Sequence, residues 1–250
     1  MLFLVETNNP YMKIESFLWK DLLQSKTCPY DFRECTIDEL ASVIQQNSKR
    51  EMVPLGSIRF TNQFFQMAHN IPQINPIEIP PILRTPYFLG RKYEILPFES
   101  LPQTGAYFIK DASQLKVNSY CGDMKCFPSN EYNHKHVYVV SEIVDIISEY
   151  RVYILQGDIY AVEYYNGDPL TFPDAKTIHT ANQLYSTQRD YPKSYTMDVM
   201  VTPHGTFITE IHPVLFACGL YTTVLNTQFL SGYIDGLHYI LKYNTPVTTT

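Results

Sequence analysis

The chain has 250 residues, 45% of them hydrophobic, and a formal net charge of -6 at pH 7. This length and composition are typical of a folded protein with two or three lobes and a sizeable core. The acidic balance argues against general nucleic-acid binding, and no apolar run approaches the roughly 20 residues that a membrane-spanning helix needs.

The N-terminus and the cysteines indicate the compartment. The segment MLFLVETNNP has no basic lead-in, so it predicts a buried first strand rather than a signal peptide. The five cysteines are odd in number and lack the spacing of a zinc site or a CxxC motif. We therefore expect free thiols and a cytoplasmic protein.

The first 85 residues alternate between predicted strands and helices. Strands are expected at 2–6, near 30–35 and at 51–54, and each is followed by helix-start signals, including a capping box formed by Thr36 and Glu39. This order predicts a small parallel sheet covered by helices. The predicted buried stripe of the first helix consists of Tyr11, Ile14, Phe17, Leu18 and Leu22.

Prolines are dense between residues 71 and 86, which indicates a break in regular structure and a lobe boundary. Strands are expected at 105–109 and 136–140, and a hairpin at 149–165. A second hairpin and a long helix at 222–242 follow. We therefore expect three lobes, at residues 1–85, 86–140 and 141–250.

The segment 195–221 predicts the second hairpin and a candidate metal site. β-Favouring residues alternate on both sides of a predicted three-residue turn centred on His204, which pairs Asp198 with Glu210. Directly opposed side chains have Cβ atoms about 5 Å apart, and His212 points to the same face. Two carboxylates and an imidazole held together are typical of a divalent-cation site. Taken alone, the pattern is also typical of an edge hairpin with polar residues on its solvent side.

Cationic side chains lie upstream of this hairpin. Lys110 ends an apolar strand, Lys116 follows it in a polar loop, and Arg151 lies at the head of the first hairpin. Lysine supplies a point charge for phosphate oxygens, and arginine adds a fork that can bind two of them. Arg151 could instead pair with Glu149 or Glu163 across the sheet.

The ordered set of motifs resembles the ATP-grasp superfamily, and more narrowly its clade marked by one arginine and two lysines, found in bacteria and their phages. Members of that clade read "FVKP…K" where this chain has FIKDASQLK at 108–116, and "VSEVVDI-SE-R" where it has VSEIVDIISEYR at 140–151. The segments 165–174 and 198–221 are similar to two further motifs of the clade. The resemblance covers about residues 50–222.

The resemblance implies an α/β protein of ATP-grasp architecture, in which a small N-terminal parallel α/β lobe is followed by two α+β lobes that enclose an ATP-binding cleft. In such a cleft the lysines contact the phosphates, and Arg151 contacts the γ-phosphate and the acyl-phosphate. Lys110 and Arg151 are the implied catalytic residues, and Glu142 and Val144 frame the adenine and ribose. The full set of implied nucleotide-binding residues is Lys110, Lys116, Ser141, Glu142, Val144 and Arg151.

The resemblance also implies that Asp198, Glu210 and His212 hold magnesium. At the position of His212 the clade usually has asparagine. Imidazole is a poor magnesium ligand, so either His212 turns outward or the metal preference shifts towards manganese. The loop at 111–125 that would cover the phosphates has Gly122 as its sole glycine, which predicts a lid that is stiffer than usual or partly disordered without nucleotide.

The implied function is an ATP-dependent carboxylate–amine ligase that forms an amide through an acyl-phosphate. Its partners are ATP and substrates of amino-acid or peptide type, although no motif identifies either substrate or the oligomeric state. The alternative is a catalytically altered relative that serves as a nucleotide-binding or protein-interaction module, supported by His212 and the glycine-poor lid. Neither interpretation involves a membrane or general nucleic-acid binding.

Overall fold

The computed structural model describes residues 1–72, 74, 76–113, 119–213, 220–221 and 225–244. Within these residues the chain forms one parallel sheet and two antiparallel sheets. The strands are β1 (Leu2–Glu6), β2 (Asp31–Cys35), β3 (Met52–Leu55), β4 (Tyr93–Pro97), β5 (Ala106–Asp111), β6 (Ser119–Asp123), β7 (Val137–Ser141), β8 (Ser148–Leu155), β9 (Asp158–Gly167), β10 (Tyr195–Thr202) and β11 (Gly205–Pro213). The helices are α1 (Lys13–Gln24), α2 (Leu40–Gln46), α3 (Ile58–His69), α4 (Pro86–Leu89), α5 (Ala175–Ser186) and α6 (Thr227–Asn244).

The first sheet is parallel, with the strand order β2-β1-β3, as the alternation of strands and helices predicts. The predicted start signals act as helix caps. The Ser57 hydroxyl accepts a hydrogen bond from the Phe60 N–H at the start of α3. Thr36 and Glu39 form the reciprocal hydrogen bonds of a capping box just before α2. The predicted N-terminal α/β architecture is therefore confirmed.

The predicted buried face of the first helix is wrong for three of its five residues, whereas Leu18 and Leu22 are partly buried. Tyr11, Ile14 and Phe17 are 90%, 72% and 66% exposed, whereas Trp19 is buried. The Trp19 ring packs edge-on against Tyr233 of α6, with 6.1 Å between the ring centroids. A short 3-10 turn precedes α1, so the 3.6-residue period counted from the predicted start does not give the phase of the helix.

The second sheet is antiparallel, with the strand order β4-β7-β5-β6. The predicted strands at 105–109 and 136–140 correspond to its two central strands, β5 and β7. The sequence did not predict the edge strands β4 and β6, in which no residue is fully buried. The buried core of this sheet consists of Leu101, Ile109, Met124, Tyr138 and Val140.

The third sheet contains both predicted hairpins, in the order β11-β10-β8-β9. The turn between β10 and β11 differs from the prediction, because Thr202 pairs with Gly205 and the loop therefore has two residues rather than three. A regular two-residue hairpin would place Asp198 opposite Thr209. A β-bulge shifts the register by one residue and restores the predicted pairing of Asp198 with Glu210.

Helix α6 packs its apolar face into the core of the first sheet, beside Tyr153 of β8. The predicted start of this helix, at 222–224, lies outside the described residues. Helix α5 was not predicted, and Asp174 caps it by accepting a hydrogen bond from the Thr177 N–H. Among the described helices, none combines the length and the apolar character needed to cross a membrane. The division of the chain into three lobes stays a prediction.

Candidate active site

The β10–β11 hairpin brings the three predicted metal-binding side chains together. Asp198 lies opposite Glu210, and His212 follows two residues along β11. One ligand atom from each of the three lies within 4.8 Å of the others, and Nε2 of His212 is 2.7 Å from Oε2 of Glu210. Asp198 and His212 are buried, and Glu210 is half-buried. His212 thus faces the two carboxylates, so of the two alternatives for this residue the structure does not show the one in which it turns outward.

Arg151 lies against this group from the neighbouring strand β8. The strand register places it opposite Asp198, and both Nε–Oδ1 and Nη2–Oδ2 distances are 2.8 Å. The Arg151 Cζ atom also lies 5.2 Å and 5.8 Å from the ring centroids of Tyr221 and Tyr165. Burial disfavours the charged guanidinium, but the hydrogen bonds and charge of Asp198 outweigh it and raise the pKa of Arg151 above its usual range.

Lys110 connects the second sheet to the third. It lies near the end of β5, and its Nζ forms an ion pair with Oε1 of Glu210 on β11. Both side chains are half-buried. The pair therefore places a cation from one sheet directly beside the candidate metal ligands of the other.

A cleft of about 310 Å³ lies between these two sheets. The segment that joins them begins at Ser141, the last residue of β7, and forms one wall. Its Glu142 carboxylate accepts a hydrogen bond from the Lys92 N–H at 2.9 Å, and the Glu142 N–H donates to the Lys92 carbonyl at 3.2 Å. The predicted site residues that line the cleft are Lys110, Ser141, Glu142, Val144, Asp198, Glu210 and His212.

The two remaining predicted site residues are Lys116 and Arg151. Lys116 lies outside the described residues, together with the rest of 114–118 in the loop for which a stiff or disordered lid was predicted, whereas the later residues Ser119–Asp123 of that loop form β6. Arg151 is only 3% exposed and lies behind Asp198. Its bidentate partner is therefore a carboxylate of the site. Glu149, one of the partners considered from the sequence, accepts hydrogen bonds from Tyr165 and Asn166.

Sequence reasoning missed several residues of the cleft. Arg91 lies just before the unpredicted strand β4, and Tyr93 is the first residue of that strand. Asp111, next to Lys110, is buried, and its Oδ2 is 2.7 Å from Nδ1 of His136. The sequence gives one signal for Asp111, which is its position directly after Lys110.

Solved structures with this arrangement of sheets define the class of fold. The D-alanine–D-alanine ligase of Bacillus anthracis is similar with a TM-score of 0.60 and 11% sequence identity, over 96% of this chain and 98% of that one. The L-amino acid ligase of Bacillus licheniformis has a TM-score of 0.53 and 11% identity, over 96% of this chain and 75% of that one. The ATP-grasp RimK domain protein of Sphaerobacter thermophilus has a TM-score of 0.51 and 10% identity, over 97% and 98%. The chain therefore has the ATP-grasp fold.

The sequence itself places the chain within that class. Residues 88–227 match an ATP-grasp domain family, the second family of the clade named for one arginine and two lysines, and the chain belongs to this family. The resemblance and the fold class predicted from the motifs are therefore confirmed. None of the curated protein sequences compared with the chain matches it.

Proposed function

We propose that the protein is an ATP-dependent carboxylate–amine ligase. The observation that carries the proposal is the cleft in which Lys110 and the group of Asp198, Glu210 and His212 lie across from the linker that begins at Ser141. Membership of an ATP-grasp family supports a nucleotide as the occupant of that cleft.

The linker provides the site for the adenine and ribose. Ile143 and Ile146 are 45% and 46% exposed, and with Val144 they line the cleft. Exposed apolar side chains of this kind suit a flat, largely apolar base, and the neighbouring polar groups of Ser141 and Glu142 provide hydrogen bonds. Lys110 lies further along the cleft and neutralises phosphate charge, together with Lys116.

Asp198, Glu210 and His212 are the residues that would hold a divalent cation. Two carboxylates and one imidazole within 4.8 Å of one another fit a single ion. Imidazole suits manganese better than magnesium, so the donor set favours manganese over an all-oxygen site. The ion would supply charge neutralisation at the phosphates during transfer.

The reaction needs positioning and charge compensation more than a protein nucleophile. A substrate carboxylate oxygen attacks the γ-phosphorus, and the bond from that phosphorus to ADP breaks. An amine nitrogen then attacks the carbonyl carbon of the acyl-phosphate, and phosphate leaves as the amide forms. Lys110 offsets negative charge that the transferred group carries, and Arg151 holds the Asp198 carboxylate in position from behind.

A second candidate is a nucleotide-binding module without ligase activity. The observation that favours it is the pairing of both carboxylates with cations, Asp198 with Arg151 and Glu210 with Lys110. A site that retains these pairs with nucleotide bound would bind ATP without turning it over.

Calorimetric titration with ATP, in the presence of Mg²⁺ or Mn²⁺, tests the nucleotide site. Release of ADP with a panel of amino acids and short peptides then separates the two candidates. The panel follows from the amino-acid ligases that share the fold. The ligase proposal predicts substrate-dependent ADP release, the binding module predicts ATP binding alone, and absence of ATP binding would contradict both.

A further inference from the structure

Arg91 lines the cleft and has no role in the function proposed above. It follows α4 and is only partly exposed. Its Nη1 donates to the backbone carbonyls of Leu89 at 3.0 Å and Ile208 at 3.2 Å, and lies 3.9 Å from the Met200 sulfur. These contacts hold the guanidinium against β10 and β11. Within the described part of the chain all of them involve Nη1, which leaves Nε and Nη2 for another acceptor.

Arg91 differs from the other cations at the site in how its positive charge is compensated. Lys110 and Arg151 are ion-paired with Glu210 and Asp198. Among the described residues no carboxylate forms an ion pair with Arg91, whose hydrogen-bond partners are carbonyl oxygens and a thioether. Burial accordingly lowers the pKa of Arg91, because the charged form is partly desolvated. A bound anion would supply the missing negative charge.

The position of Arg91 indicates which anion would bind to it. The next residue, Lys92, is hydrogen-bonded through its N–H and carbonyl to Glu142 in the linker that frames the adenine in the proposed function. On its other side Arg91 contacts β10 and β11 two residues from Asp198 and Glu210. It therefore lies between the proposed base site and the proposed metal site, where the phosphate chain of a nucleotide passes.

We propose that Arg91 is a phosphate-binding residue, whose Nε and Nη2 bind the phosphate chain of the adenine nucleotide. The planar guanidinium suits this task because two of its N–H groups can bind two oxygens of one phosphate while Nη1 stays on the backbone carbonyls. The inference rests on the proposed function and adds a binding residue next to β4 to those of β5 and the β10–β11 hairpin.

The experiment compares wild type with Arg91→Gln by calorimetric titration with adenosine, AMP and ADP. Glutamine removes the charge and keeps a polar amide on the side chain. We expect the affinity for ADP to fall by about tenfold or more and the affinity for adenosine to change by less than about twofold. Arg50→Gln is the matched control, because Arg50 is paired with Asp31 away from the residues that line the cleft, and it should keep the affinity for ADP.

Equal losses for adenosine and ADP would show a structural role, and an unchanged affinity for ADP would show that phosphate does not contact Arg91; either result overturns the proposal. If Arg91→Gln fails to fold, Arg91→Lys keeps the charge without the fork. It should lose affinity for ADP but not for adenosine, and parallel changes for both ligands would overturn the proposal. A wild-type protein that binds none of the three ligands would instead contradict the proposed function.

Discussion

At the scale of the residue, the charges of the candidate site are held as one buried and one half-buried ion pair. The Arg151 and Asp198 side chains are 4% and 6% exposed, whereas Lys110 and Glu210 are 25% and 26% exposed. Removing two charges from water is costly, and the bidentate geometry is what offsets that cost in the buried pair. Loss of a single partner from the buried pair should therefore have a larger effect on stability than loss of a partner from the other.

Asp198→Ala should lower the free energy of unfolding by about 3–5 kcal/mol, because it leaves the Arg151 guanidinium buried without its carboxylate. Urea unfolding of the variant measures the loss. The double variant Asp198→Leu with Arg151→Met removes both charges and should recover most of the stability. Equal losses in the single and double variants would contradict this account of the pair.

Lys110→Ala and Glu210→Ala should each abolish ATP turnover while lowering stability by no more than about 1 kcal/mol, because their ion pair is partly exposed. Release of ADP and thermal unfolding measure the two effects. Lys20→Ala is the matched control, since it removes a lysine that is paired with Glu34 at 3.0 Å outside the cleft. Wild-type turnover in both cleft variants would show that the site assignment is wrong.

His212→Asn should change which metal supports nucleotide binding and turnover. Replacing the imidazole by an amide oxygen gives an all-oxygen donor set with Asp198 and Glu210, which suits magnesium. We expect the ratio of ADP release with Mg²⁺ to that with Mn²⁺ to rise relative to wild type. The same ratio in both proteins would mean that His212 is not a ligand.

The residue pattern predicted part of this site. Asp198, Glu210 and His212 share a face because side chains alternate with a period of two along a strand, and that period is visible in the sequence. The Arg151–Asp198 pair depends on the pairing of β8 with β10, across 47 residues of chain, which alternation within each strand does not encode. Arg91 belongs to no motif and becomes visible only through its contacts.

At the scale of the element, turns and helix phase were harder to predict than the existence of the strands. The β10–β11 hairpin has its predicted register for an unpredicted reason, since a two-residue loop and a bulge at Thr209 together replace the expected three-residue loop. Trp19 lies on the buried face of the first helix because it contacts Tyr233 of α6, which is far from it in the sequence. The first feature belongs to the turn and bulge of a single hairpin, and the second depends on packing between elements that are distant in the sequence.

Gly167→Ala tests how the end of β9 supports the linker between the two sheets of the cleft. Gly167 has a φ of +91°, and a Cβ there would lie 2.2 Å from the Ile147 carbonyl oxygen in the linker. Gly157→Ala is the control, because Gly157 has a φ of +93° but no atom within 4 Å of its Cβ position. The control should cost about 1–2 kcal/mol through the backbone alone.

Gly167→Ala should lower the free energy of unfolding by clearly more than the control, because the linker backbone must also move. Urea unfolding of the two variants gives the comparison. Similar losses for both would mean that the linker can shift at little cost.

At the scale of the whole molecule, the cleft lies between two sheets that meet through Lys110 and Glu210 and through the linker from Ser141. A ligand that contacts both sheets binds the folded chain and not the unfolded one, so it should stabilise the protein. The ordered motifs predicted the class of fold through their resemblance to a known family, whereas the shape of the cleft depends on the relative placement of both sheets.

The most direct test of the central claim follows the oxygen of the substrate carboxylate. The protein is incubated with ATP, Mn²⁺ or Mg²⁺, and a panel of amino acids and peptides whose carboxylates carry ¹⁸O, and the released phosphate is analysed by mass spectrometry. An acyl-phosphate intermediate transfers a carboxylate oxygen to phosphate, so the account predicts labelled phosphate together with ADP and an amide product. Unlabelled phosphate would show that water rather than a carboxylate attacks the γ-phosphate, and that result would contradict the proposed ligase.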